Sequence, residues 1–379
     1  MAISRTLITL TLGISLSAFA NQAGAQENSA AAVAEVGGQK LTRTDLEQKQ
    51  AAKLLQARYQ HYLAEHEAVN QLIEDHLLEM EARREHLTVD QLLDREVGGK
   101  VKEPTEDQLQ VFYEGLQSNE PYAAVREKIV ATLRQVRVAK ARAAYIESLR
   151  SHAGVRIALA PPEAEVALDK APLRGPEDAP VVIVEFADYE CPYCQRIHPE
   201  LKKLQAEFAG QVTMAFKDFP LPMHARAEKA AEAARCAAEQ GNFWDFHDLL
   251  FDNAPKFDPA QLKEHARVLK LDVARFDHCL DGGEQAAAVR KDFAQGQRLG
   301  LTGTPSFFIN GHFLSGAVKY DTLREVVEQQ LAACTKSLQS QSDLPALFSK
   351  LTGLLPDSQM FLPPLGFAKE VTHCATWQQ

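Results

Sequence analysis

The stretch of sequence that decides the fold is VVIVEFADYECPYCQRIHP, residues 181–199. Residues 181–186 are rich in β-branched and aromatic side chains, which is typical of a buried strand. After a short polar turn, apolar residues recur at helical spacing over 197–208, and this pattern predicts an amphipathic helix. The C-x-x-C pair, Cys191 and Cys194, therefore lies where a strand passes into the first turn of a helix.

This position favours redox chemistry over zinc binding. Free N–H groups and the positive end of the helix dipole stabilise an anion at a helix N-terminus. We therefore predict that Cys191 is the acidic, exposed nucleophile and that Cys194 closes the disulfide. A zinc site is the less favoured alternative, because it needs four ligands, the sequence has no second C-x-x-C, and only His198 is nearby. No metal and no other cofactor is expected.

A second motif, GLTGTPSFFING at residues 300–311, comes much later in the chain. Thr304 and Pro305 introduce a short apolar strand, and Asn-Gly closes it with a hairpin turn signal. The segment closely resembles the part of thioredoxin-like proteins in which a cis-proline precedes a strand and faces the C-x-x-C. This resemblance implies that the Thr304 backbone pairs with an incoming peptide while Pro305 abuts the disulfide.

Taken together, EFADYECPYC, RIHPEL and GTPSFFING resemble the DsbA family of thiol:disulfide oxidoreductases over about residues 161–334. The predicted fold class is α/β: a thioredoxin-like domain over 161–335, with a DsbA-type helical insertion between its two motifs. The resemblance also implies that Glu185, an acid inside the apolar strand, lies beneath the disulfide and exchanges protons with Cys194. An edge-strand Glu185 facing water is the alternative. Asp188 and Glu190, in the turn, are expected to be surface acids.

The beginning of the chain has the pattern of a secretory signal peptide over residues 1–25. Arg5 precedes an apolar stretch, and two A-x-A cleavage sites follow it. The stretch is shorter than the ~20 residues of a membrane-spanning helix, so we expect cleavage rather than a retained anchor. The predicted location is the periplasm or another exported compartment, where disulfides persist. The net charge of −10 argues against nucleic acid as a partner.

Residues 27–157 predict a separate, mainly α-helical domain, with capping boxes that begin at Thr44, Thr88 and Thr105. VAEVGGQKLTRTDLEQ and EPTEDQLQVFYE resemble the N-terminal domain of SurA-like chaperones. That resemblance implies a client-binding or dimerising module, and a helical spacer is the alternative. A proline- and alanine-rich linker at 158–179 includes the start of the redox domain, and 336–379 form a C-terminal extension.

Four further cysteines are expected to pair, because an exported protein with an even number usually pairs them. The preferred pairing is Cys236 with Cys279 inside the insertion, and some DsbA relatives carry a second disulfide of this kind. Cys334 with Cys374 would then pin the tail to the closing helix. Free buried thiols are the alternative, since sequence does not fix connectivity.

The function predicted from these features is an exported thiol:disulfide oxidoreductase that introduces or exchanges disulfides in secreted clients. Reduced or unfolded client proteins and a DsbB-like or DsbD-like membrane redox partner are the expected partners, and a homodimer through the N-terminal domain is considered as well. The alternatives are a dimeric DsbC-like isomerase or reductase, and a holdase chaperone.

Overall fold

The computed structural model describes residues 31–116, 119–255 and 257–352, with side chains as far as 336. The chain divides into two compact units, His61–Leu159 and a second unit that joins Met1–Gln60 to Ala160–Gln379. The described residues before His61 therefore group with the C-terminal half, whereas the sequence predicted one domain over 27–157. Within the described parts, no helix combines the length and the apolar character needed to cross a membrane.

The described N-terminal elements are a hairpin followed by two helices. Strand β1 (Ala32–Val36) pairs antiparallel with β2 (Gln39–Thr42), and helices α1 (Arg43–Lys49) and α2 (Ala51–Arg84) follow. The capping box predicted at Thr44 is wrong by two residues. Thr42 caps α1, with its hydroxyl accepting from Asp45 N–H and the Asp45 carboxylate accepting from Thr42 N–H. Thr42 takes this place because β2 ends there and leaves it extended.

The helical unit, His61–Leu159, contains the rest of α2 and the helices α3 (Val89–Glu96), α4 (Glu106–Gly115) and α5 (Tyr122–Ala153). The capping boxes predicted at Thr88 and Thr105 are confirmed at the starts of α3 and α4. The buried core of this unit includes Leu78, Ala82, Leu92 and Ile146.

The C-terminal unit is built on a five-stranded sheet in the order β3-β5-β4-β6-β7. The strands are β3 (Leu173–Arg174), β4 (Val181–Ala187), β5 (Val212–Asp218), β6 (Ser306–Ile309) and β7 (His312–Ser315). Strand β4 is buried along its whole length, as its run of apolar residues predicts, because it pairs in parallel with β5 and antiparallel with β6.

Helices cover this sheet and fill the interval between the two motifs. Helix α6 (Pro192–Glu207) follows β4, and α12 (Tyr320–Thr352) follows β7. The predicted helical insertion is confirmed as α7 (Ala227–Ala238), α8 (Phe243–Asp252), α9 (Pro259–Val268), α10 (Val273–Gly282) and α11 (Ala286–Arg298). The insertion has a core of its own, rich in phenylalanine and alanine side chains.

A disulfide joins two helices of the insertion. It links Cys236 in α7 to Cys279 in α10, with the two Cα atoms 5.9 Å apart, and this is the pairing that the sequence analysis preferred. Cys334 is also disulfide-bonded. Its predicted partner, Cys374, lies outside the described residues, as do the predicted signal peptide and most of the C-terminal extension, so those assignments stay predictions.

Candidate active site

The two cysteines of the C-x-x-C occupy different positions at the start of α6. Cys191 is the N-cap residue and keeps an extended backbone, Pro192 is the first helical residue, and Cys194 lies one turn inside. Both carry free thiols in this structure. The prediction of an exposed Cys191 is wrong, because only 3% of the residue is accessible and the chain segment at Thr304 lies against its sulfur.

The predicted meeting of the two motifs is present in the structure. The Thr304–Pro305 peptide bond is cis. The Cys191 thiol donates a hydrogen bond to the Thr304 carbonyl oxygen, with sulfur and oxygen 3.4 Å apart. Strand β6 begins directly after Pro305 and pairs with β4, whose end delivers the chain to Cys191. The central sheet therefore brings the cis-proline segment to the nucleophile position.

Hydrogen bonds lower the pKa of Cys191 from 9.0 to about 5. The largest contribution is the hydrogen bond from the Cys194 thiol, and burial opposes it. The Thr304 side chain and the backbone N–H groups of Cys194 and Tyr193 lower the pKa further. The amide groups of the helix start thus act as predicted, but the neighbouring thiol, which the sequence analysis did not consider as a donor, contributes more.

The pKa values of Cys194 and Glu185 are raised, in contrast to that of Cys191. Burial raises the pKa of the Cys194 thiol well above 9.0, and the nearby charges of Cys191 and Glu185 raise it further. Glu185 is 4% exposed in β4, and burial raises its pKa to about 8. The edge-strand alternative for Glu185 is excluded, because β4 lies between β5 and β6 and the residue is buried.

Asp188 is a buried member of the site that the sequence analysis wrongly placed on the surface. Its carboxylate accepts hydrogen bonds from the N–H groups of Glu190 and Leu221, both at 2.7 Å, and pairs with His224 Nδ1 at 2.7 Å. Its carbonyl oxygen accepts from the Cys191 N–H at 3.1 Å. The loop after β5 folds over this turn, so Asp188 fixes the backbone that holds Cys191.

Polar side chains also gather beside Glu185. His198, His247 and Asp248 bring potential metal-ligand atoms within 4.8 Å of one another. Both histidines are buried, and burial lowers the pKa of His198 to about 4 and that of His247 well below its usual value. Arg174 and Lys202 each lie 3.0 Å from the Asp248 carboxylate.

These two cations make the cluster a poor cation site, since they already compensate its single carboxylate. The zinc alternative at the C-x-x-C also gains no support from the geometry. Among the residues that the structure describes, no His, Asp or Glu joins Cys191 and Cys194 in a group of metal-ligand size. No sequence pattern marks this cluster, because His247 belongs to a helix whose sequence is simply rich in aromatic residues.

The region that contains this site is similar to known thioredoxin-family proteins. Residues 168–329 match the family model described as Thioredoxin. The chain is 28% identical to disulfide bond formation protein D of Bacillus subtilis, over 42% of this chain and 77% of the relative. It is also 37% identical to the Na(+)/H(+) antiporter NhaA 3 of Salinispora tropica, over 44% of this chain and 25% of that protein. The chain thus spans about a quarter of such antiporter relatives.

The chain is also similar to solved structures over less than half of its length. A thioredoxin-like oxidoreductase from Silicibacter pomeroyi is 30% identical and covers 42% of this chain and 91% of its own, with a TM-score of 0.39. BdbD from Bacillus subtilis is 28% identical and covers 46% and 99%, with a TM-score of 0.43. These TM-scores are too low to carry the assignment, which rests on the family model, the strand order and the site.

The matched region contains the C-x-x-C at a helix start, the cis-proline opposite it, and the insertion between them. A helical region precedes it, and the resemblance of that region to SurA-like chaperones stays a prediction. The C-terminal half of the chain is therefore a DsbA-like, thioredoxin-family thiol:disulfide oxidoreductase domain with a helical insertion.

Proposed function

We propose that this protein is an exported thiol:disulfide oxidoreductase that transfers its Cys191–Cys194 disulfide to client proteins. The observation that carries the proposal is the contrast between the two sulfurs. One is acidic, with a pKa of about 5, and lies against the Thr304 carbonyl, whereas the other is buried with a raised pKa beside a buried carboxyl group. A low-pKa sulfur is the better leaving group, so Cys191 suits the release of an oxidised client.

The reaction begins with the oxidised enzyme. A client thiolate attacks the sulfur of Cys191, the bond between Cys191 and Cys194 breaks, and the electron pair moves to Cys194. Glu185, which keeps its proton up to a pH of about 8, supplies a proton to the new Cys194 thiolate. A mixed disulfide between the client and Cys191 results.

A second client thiolate then completes the exchange. It attacks the client sulfur of the mixed disulfide, and Cys191 leaves as a stabilised thiolate. The client loses two electrons and gains a disulfide, and the enzyme gains those two electrons as a dithiol. A DsbB-like or DsbD-like membrane redox partner would remove them again, with DsbB-like reoxidation fitting the oxidase direction proposed here.

Trapping tests the proposal directly. In Cys194→Ala the Cys191 thiolate can still exchange with a disulfide of an oxidised client, which releases one client sulfur as a thiolate and leaves the other bonded to Cys191. Because no Cys194 thiolate remains to displace the client, these mixed disulfides should accumulate and be identified by mass spectrometry. The matched control is the double variant Cys191→Ser, Cys194→Ala, which keeps the same surroundings but has no nucleophile. Client adducts in the control, or none in the single variant, would contradict the proposed function. Client rescue that survives Cys191→Ser would favour the holdase chaperone.

The location and the N-terminal unit belong to the proposal as well. An exported location is supported by the signal-like sequence at residues 1–25. We propose that the helical unit binds clients or joins two chains. The mass in solution distinguishes these two roles, because only joining two chains produces a dimer. A dimer whose thiols are also kept reduced in cells would favour the isomerase or reductase alternative.

A further inference from the structure

The first turns of α2 contact the oxidoreductase domain at the end of β7. Tyr59 is 3% exposed, and its hydroxyl accepts a hydrogen bond from Ser315 N–H at 3.0 Å and donates one to the Ser315 carbonyl at 3.3 Å. Its ring meets Phe313 edge to face, with the ring centres 4.9 Å apart. Strand β7 is at the edge of the described sheet, so Tyr59 takes the place of a neighbouring strand for Ser315.

The same helix contacts a second point, one turn earlier. Gln56 Nε2 donates a hydrogen bond to the Gly300 carbonyl at 3.0 Å. Gly300 has a φ of +77°, and a Cβ atom there would lie 2.8 Å from the Cβ of Ala52. Glycine at this position therefore permits both the left-handed backbone and the close approach of the helix.

These two points flank the segment that faces the nucleophile. Gly300 begins the loop that leads to Thr304 and Pro305. At the other flank, Gly316, the neighbour of Ser315, donates its N–H to the Pro305 carbonyl at 2.8 Å. The Thr304 carbonyl, between them, accepts the hydrogen bond from the Cys191 thiol. Helix α2 thus holds both sides of the cis-proline segment.

We propose that Tyr59 and Gln56 are positioning residues of the oxidoreductase site, although both lie more than 100 residues before the region that matches the thioredoxin family model. They fix the segment from Gly300 to Gly316 so that the Thr304 backbone is presented to Cys191 and to a client peptide. The proposal rests on the proposed function for its client, but its effect on Cys191 exists without any client.

Two side-chain variants of the full-length protein test this role. Tyr59→Phe removes both hydrogen bonds to Ser315 and keeps the ring against Phe313, and Gln56→Ala removes the bond to Gly300. The matched control is Lys53→Ala, on the exposed side of the same helix. Two quantities are measured: the KM for oxidation of a synthetic peptide with two reduced cysteines, and the pH at which Cys191 titrates in the reduced enzyme.

We expect Gln56→Ala to raise KM by about twofold to tenfold, the ratio that corresponds to one net hydrogen bond, and Tyr59→Phe, which removes two, to raise KM by at least as much. We also expect the Cys191 titration to move to higher pH, because the Thr304 side chain lowers the Cys191 pKa and would be held less closely against the sulfur. Lys53→Ala should change neither quantity. If the double variant Tyr59→Phe, Gln56→Ala leaves both unchanged, the positioning role is wrong, even where its melting temperature falls. A wild-type protein that oxidises no peptide would contradict the proposed function instead, and the Cys191 titration would still decide the positioning role.

Discussion

The acidity of Cys191 should depend on the thiol of Cys194 more than on the helix start alone. In the structure the hydrogen bond from the Cys194 thiol is the largest cause of the lowered Cys191 pKa, ahead of the backbone N–H groups. With a pKa of about 5, about 99% of Cys191 is ionised at pH 7. Cys194→Ala removes that donor and leaves Thr304 and the helix amides in place.

The size of the effect follows from the charge on the acceptor. A hydrogen bond to a charged group contributes about 1.5 to 3 kcal/mol, which corresponds to about one to two pKa units. Cys191 in the Cys194→Ala variant should therefore titrate between about pH 6 and pH 7. At pH 7 between about half and nine-tenths of it would then be ionised.

The assay is the pH dependence of alkylation by iodoacetamide, followed by mass spectrometry of the peptide that contains Cys191. Cys194→Ser is the matched control, because its hydroxyl can still donate to the Cys191 thiolate and should keep the midpoint near that of the reduced wild type. A Cys194→Ala variant that titrates together with Cys194→Ser would refute the reasoning. In that case the amide groups at the start of α6 would account for the acidity.

Three further predictions concern residues around the site. The wild type should lose stability as pH rises from about 4.5 to 8, because the buried Glu185 carboxyl group resists ionisation in the fold. Glu185→Gln does not titrate, so it should be more stable than the wild type at pH 7 by on the order of 3 kcal/mol. Urea unfolding at several pH values measures this difference. Replacing Cys236 and Cys279 by serine should lower the unfolding free energy by about 2 to 4 kcal/mol relative to the oxidised wild type, because the disulfide spans a sequence separation of 43 residues. The reduced wild type, which lacks the same bond, serves as the comparison and should lose a similar amount. Asp188→Ala leaves two backbone N–H groups without an acceptor, so it should cost about 2 kcal/mol or more and slow alkylation of Cys191, whereas an unchanged melting temperature would contradict its anchoring role.

The sequence predicted the parts of the fold that depend on patterns within a short segment of the chain. The apolar run of β4, the C-x-x-C at the start of α6 and the Thr-Pro before β6 each combine residue type with position, and the structure contains all three. The cap of α1 shows where such a pattern is ambiguous. Thr42 and Thr44 each precede an acid by three residues, and the end of β2 decides between them by holding Thr42 extended.

The contacts that the sequence did not predict join side chains from distant segments. Asp188 meets His224 across 36 residues, and Tyr59 meets Ser315 across 256. Neither pair has a periodicity or a spacing that marks it, and an Asp in a polar turn usually faces water. Burial of Asp188 follows only from the path of the loop after β5, so its role becomes visible with the tertiary structure.

The acidity of Cys191 also bears on the direction of electron flow. Its pKa of about 5 in the fold lies below the ordinary value of 9.0, so its ionisation stabilises the folded, reduced protein. That stabilisation is fully present above about pH 9 and is lost as the pH falls through about 5. The oxidised protein gains nothing from it, because neither sulfur titrates in a disulfide.

At neutral pH the fold therefore favours the dithiol over the disulfide, and an enzyme whose reduced form is favoured gives its disulfide away readily. For this reason we infer that the site is better suited to oxidising clients than to reducing them.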